Sequence, residues 1–289
     1  MRLIAIFPLL CAVAAFILSM LCLFAGSKRN FIENGDLLTL NVSMLGHVSS
    51  NSSNSSSDGL LSSITSAIGD AITDEINDVV DDITAELGIH DFYSAHLLDY
   101  CEGYFEPNAT VKDSHKNVTK CSNTTAFYHF DPSDILSSEL TSGINLTDLD
   151  WPDDIDDKIQ DVKTASKALF VLYCIGIAAA GISVLASIAA VIIDGRLIAF
   201  VNFILALIAF LGLGIASAIV TVVVVKVVDA VNKYGDDISI SATKGNKFLG
   251  MTWAATALML IAAMGWVLDC CAGRKKRKTY VRDGKEGRL

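Results

Sequence analysis

The chain of 289 residues is 52% hydrophobic and only 19% charged, with a mean hydropathy of +0.48 and a formal net charge of −10. Soluble globular domains carry about 25% charged residues, so an ordinary soluble domain is excluded. The acidic balance also argues against nucleic acid as a partner.

The apolar content sits in four blocks, Leu3–Gly26, Ala168–Ile193, Leu197–Val225 and Phe248–Leu268, none containing Asp, Glu, Lys, Arg or His. A bilayer core about 30 Å thick needs roughly 20 apolar residues as a helix, and each block meets that length. The first block starts at the N-terminus and exceeds the apolar core of about 7–15 residues in a signal peptide. It reads as a span; a leader cleaved near Phe24-Ala25-Gly26-Ser27 is the alternative.

The segment between the first and second spans, Ser27 to Ser166, holds 25 acidic and 7 basic residues, a net −18. It opens with a Ser/Asn tract, HVSSNSSNSSSDG (47–59), whose composition cannot bury a core and reads as a flexible stalk. An amphipathic helix is expected over about 60–87. Leu60, Ile64, Ile68, Ile72, Ile76, Val79, Ile83 and Leu87 fall at helical spacing, opposite an acidic face from Asp70 to Glu86. The aromatic stretch GIHDFYSAHLLDYCEGYF (88–105) introduces Cys101, and the one other cysteine of this segment is Cys121. Two cysteines in one small domain of an oxidising compartment are expected to pair. The other five lie in spans or at the opposite face. The segment ends in a helix expected to run into the second span, with Asp150 as cap, Pro152 in its first turn, and Asp153, Asp154, Asp156 and Asp157 at the positive end of its dipole.

Every Asn-x-Ser/Thr sequon lies in this segment: Asn41, Asn51, Asn54, Asn108, Asn117, Asn123 and Asn145. Sequons are used only in the secretory lumen, so the segment is placed outside. The basic run Arg274, Lys275, Lys276, Arg277 and Lys278 follows the fourth span, in a tail with 8 basic and 2 acidic residues. Positive flanks stay cytoplasmic, so both termini are placed in the cytoplasm and residues 226–247 form a second, smaller outer loop. Cys270 and Cys271, just before the basic run, are candidates for palmitoylation. The run itself is a candidate for binding anionic lipid of the inner leaflet.

One span, an outer domain with HDFYSAHLLDYCEGYF and a downstream cysteine, then three clustered spans: this plan resembles the fungal cortical-patch family that includes the eisosomal membrane proteins and the pH-response regulator PalI, a family similar in plan to claudins. On this resemblance Cys101 and Cys121 match the paired loop cysteines. The claudin-type Gly-Leu-Trp before the first cysteine is absent, with Leu98-Asp99-Tyr100 in its place.

No nucleophile elbow, phosphate loop or HExxH motif is present, and the spans hold no ionisable side chain as a waypoint for protons or ions. The five histidines, His47, His90, His96, His115 and His129, are scattered in the outer segment; His90 and His96 are six apart, matching neither strand nor helix pairing. They read as surface residues, with pH sensing as the functional alternative, and no metal or cofactor is expected. The carboxylates read as solvated. Small residues in the second span (Gly176, Ala179, Ala180, Ser183, Ser187) and third span (Gly212, Ala216) suit close helix packing, within one bundle or between copies.

The expected fold is therefore all-α: a claudin-like four-helix membrane bundle with a disulfide-bonded cap. The expected role is a non-enzymatic organiser of a cortical domain of the plasma membrane, associating with itself or with other cortical membrane proteins. The alternative is a PalI-like subunit of an ambient-pH sensing complex, for which the short tail after Cys270 offers little recruiting length.

Overall fold

The computed structural model describes residues 3–29, 31–44, 89–107, 114–140, 153–193, 195–236 and 239–286. The Ser/Asn tract, the amphipathic helix expected over 60–87, the sequons at Asn51, Asn54, Asn108 and Asn145, and the Asp150 cap with Pro152 lie outside these residues.

Among the described residues, five helices and five strands follow in chain order. They are α1 (Leu3–Phe24), β1 (Leu38–Asn41), β2 (Phe92–Ala95), β3 (Tyr100–Glu106), β4 (His115–Cys121), α2 (Pro132–Glu139), α3 (Asp153–Ile192), α4 (Arg196–Tyr234), β5 (Ser241–Lys244) and α5 (Asn246–Glu286). The chain divides into two units. One comprises 1–23, 168–220 and 248–289; the other comprises 24–167 and 221–247.

In the first unit, α1, α3, α4 and α5 each contain a stretch long and apolar enough to cross a membrane. Small residues decide where they meet. A Cβ on Gly176 would lie 2.9 Å from Leu213, and one on Gly212 would lie 3.0 Å from the Cα of Gly176, so α3 and α4 touch nearly backbone to backbone. Gly181 faces Phe16 of α1, Gly265 of α5 faces Pro8 of α1, and Gly214 faces Thr256 of α5. These contacts close a ring in which α1 touches α3 and α5, and α4 touches the same two helices. The small residues thus pack within one bundle. Polar side chains inside it pair with one another: Ser187 Oγ donates to Asn202 Oδ1 at 3.1 Å, and Asn202 Nδ2 donates to the carbonyls of Ala186 and Ile198 at 3.2 and 3.0 Å. Ser217 Oγ lies 2.7 Å from Thr252 Oγ1. The outward faces carry exposed Leu10, Ile17, Ile182, Leu185, Phe200, Ile215 and Met264, as a lipid-facing surface requires.

The second unit departs from an all-α expectation. It contains a five-stranded antiparallel sheet in the order β4-β3-β2-β1-β5. The small second loop supplies its edge: Leu38 pairs with Lys244 and Asn41 with Ser241. Three glycines permit the close approaches. Gly26 has φ +77 and meets the His96 ring, with 2.4 Å left for a Cβ. Gly103 sits opposite the β-bulge of β4, where Thr119 is the extra residue between Val118 and Lys120, and a Cβ on it would stand 2.1 Å from the carbonyl oxygen of Asn117. At Gly245 a Cβ would fall 1.6 Å from Asp36 O.

One face of the sheet carries an apolar cluster of Phe92, Cys101 and Val118, with Phe105 and Cys121 against it. Cys101 and Cys121 are bonded, directly opposite each other in the β3–β4 ladder with Cα atoms 4.0 Å apart. α2 is capped by Asp131, whose side chain accepts from the backbone N–H of Asp134, and Asp131 also pairs with Lys163 of α3 at 3.4 Å. α3 is continuous from Asp153 through Ile192, as the reading of a helix running into the second span requires. The fourth candidate span ends at Cys271, before the basic run, while α5 itself stays helical through Glu286.

Candidate functional site

Alternation along β2 and β3 places Tyr93 and Glu102 opposite each other on one face of the sheet. Lys120 of β4 is the next partner in register, and its Nζ lies 3.0 Å from Glu102 Oε1. Glu102 is 2% exposed, and its Oε2 accepts no hydrogen bond. Glu139, the last residue of α2, reaches the same face. Its Oε2 accepts from the Tyr93 hydroxyl and lies 3.3 Å from His90 Nδ1. Tyr93 in turn accepts the backbone N–H of His90 at 3.1 Å, and the His90 ring lies 4.9 Å from that of Tyr104. One ligand atom each from His90, Glu102 and Glu139 falls within 4.8 Å of the others.

The electrostatics follow from the placement. The bond to Glu139 holds His90 above its ordinary pKa despite partial burial. Burial, then the facing Glu139 carboxyl group, raises Glu102. Burial opposes ionisation of Glu139, but the His90, Glu102 and Tyr93 side chains beside it outweigh that and hold it low. Two carboxyl groups this close repel when both are ionised, and Lys120, His90, a shared proton or a cation can offset that repulsion. This corrects the reading of the carboxylates as solvated and of His90 as a scattered surface residue. Residues 90, 102 and 139 are too far apart in sequence for spacing to reveal them.

His96 and Asp99, at the β2–β3 turn, are 1% and 0% exposed; His96 too is therefore not a surface residue. Burial lowers its pKa to about 4, so its ring is neutral at physiological pH. Burial raises Asp99 to about 7, and neither carboxyl oxygen has a hydrogen-bond partner. The sign of the linkage is set by the raised pKa. The fold favours protonated Asp99, so its contribution is fully present below about pH 4, the unfolded value, and is lost as pH rises through about 7. Asp99→Asn is expected to stabilise the protein at pH 8 by roughly 1–3 kcal/mol and to have little effect at pH 4. Thermal unfolding of both proteins across that range measures the difference; parallel curves refute it.

On the opposite face Lys116 is bonded to Thr39, lies 3.8 Å from Asp36 and sits over the Phe92 ring. Burial lowers its pKa.

Of the described sequons, Asn123 is exposed, Asn117 is half-buried with its Nδ2 donating to Glu106, and Asn41 accepts from Ser43 Oγ at 2.7 Å. Cys270 is half-buried and Cys271 exposed on α5, and Arg274–Lys278 lie on the same helix.

Comparison with curated proteins returned no significant match. Comparison with solved structures returned none either. A family model described as the SUR7/PalI family matches residues 4–265, which takes in the first three apolar stretches, most of the fourth, the sheet and the disulfide. The chain is a multi-pass membrane protein that belongs to the SUR7/PalI family.

Proposed function

We propose that the protein is a non-enzymatic organiser of a cortical domain of the plasma membrane, working by lateral assembly of its spans and its sheet domain. The observation that carries this reading is the bundle interior. Gly176 and Gly212 bring α3 and α4 into backbone contact, Ser187 bonds to Asn202, and Ser217 bonds to Thr252. Such a core is packed rather than permeable, while a lipid-facing apolar surface is left for neighbours. On this reading the sheet domain is extracellular and glycosylated, and both termini are cytoplasmic.

Glycosidase treatment is expected to lower the apparent mass by several glycans, and a C-terminal tag is expected to be inaccessible from outside intact cells. An unchanged mobility, or a tag reached from outside, overturns the topology. A tagged copy is expected in stable cortical patches; a diffuse or endosomal signal supports the second reading, a subunit of an ambient-pH sensing complex, which the raised pKa of Asp99 favours.

The inner face is proposed to hold the protein in place through acyl chains on Cys270 and Cys271 together with the Arg274–Lys278 cations, each contributing about 1 kcal/mol near an anionic leaflet. Changing both cysteines to Ser and all five cations to Gln is expected to disperse surface clusters without inverting the protein. If this variant reaches the surface and clusters like the parent, the run is only a topology signal.

A further inference from the structure

We propose that His90, Glu102 and Glu139 form a binding site for one first-row divalent metal ion of the zinc type, which clamps the end of α2 to the sheet.

The donor set is one imidazole nitrogen and two carboxylate oxygens. Such mixed N/O ligands suit zinc and its neighbours better than magnesium or calcium, which take six or more oxygens or retain a water shell. The spacing is of the right scale. Ligands bound to zinc at about 2.0–2.2 Å lie roughly 3.4 Å apart in a tetrahedron, and these three already lie within 4.8 Å of one another. The proposal requires the Glu139 and His90 side chains, both only partly buried, to rotate inward and close the difference.

Independent of the cluster itself, Glu102 presents an unpartnered oxygen. Its residue is 2% exposed, Lys120 occupies Oε1 at 3.0 Å, Oε2 is buried with no hydrogen-bond partner, and one oxygen of the carboxyl group lies within 4.8 Å of ligand atoms of His90 and Glu139. Burying an unpaired acceptor costs about 1–3 kcal/mol or more when it is charged, and a cation removes that penalty.

The supporting groups are those that hold metal ligands elsewhere. Tyr93 donates to Glu139, Lys120 fixes Glu102, and the Tyr104 ring packs beside His90. Partial exposure of His90 and Glu139 leaves an entry path and room for water in the fourth position. On binding, any proton held between the two carboxyl groups leaves to solvent.

The test uses the full chain in detergent or nanodiscs, titrated with Zn²⁺ by calorimetry and with Co²⁺ by absorption. Expected are one ion per chain and a cobalt spectrum without a thiolate charge-transfer band. His90→Gln and Glu139→Gln are each expected to weaken zinc binding at least tenfold while the Cys101–Cys121 bond still forms. Since Glu102 is buried and its loss risks the fold, the two accessible ligands carry the comparison. No stoichiometric zinc or cobalt binding by the parent, affinity unchanged in both variants, or a thiolate spectrum each overturns the proposal. In the first case the two carboxyl groups share a proton only.

Discussion

Changing Cys101 and Cys121 together to Ser is expected to lower the stability of the sheet domain by about 3 kcal/mol, the chain-entropy value for closing a loop of this length. The reduced chain must order β3 and β4 without the crosslink, and the Phe92, Val118 and Phe105 cluster loses its sulfur neighbours. Against a total of about 5–15 kcal/mol, that loss raises the unfolded fraction roughly a hundredfold, so retention in the secretory pathway is expected. Limited proteolysis and denaturant unfolding of the purified variant measure it. A midpoint equal to that of the parent refutes the assignment of a stabilising role to this bond.

A second large effect is expected from a single methyl group. In Gly103→Ala the new Cβ falls 2.1 Å from a backbone oxygen of Asn117, and a backbone atom cannot swing aside as a side chain can. The bulged stretch of β4 has to move away from β3, at an expected cost above about 3 kcal/mol. Less disulfide and faster proteolysis of the sheet domain are the readouts. Gly250→Ala is the matched control. Nothing lies within 4 Å of that position, and removing a glycine from a helix interior gains up to about 1 kcal/mol. Equal behaviour of the two variants contradicts the bulge argument.

What the sequence determined by itself was whatever is local or crude in physical terms. Four long uncharged runs announce helices because the bilayer leaves a backbone few alternatives. The continuous α3 follows from an acidic first turn feeding an apolar run, and the Cys101–Cys121 pair from there being only two cysteines in the segment. The sheet was hidden for a definite reason. β1 has only four residues, and all four residues of β2 are buried, so neither strand shows the alternation that marks a half-buried strand. β5 lies some 200 residues from β1, and no window along the chain relates them. Tertiary structure alone decided that the aromatic stretch folds as β2 and β3, and that Gly103 faces a bulge in β4. It also decided that His96 and Asp99 are buried, and that the end of α2 brings Glu139 to Glu102 and His90. Each of these depends on which distant segments share a face, and spacing along a chain does not encode that.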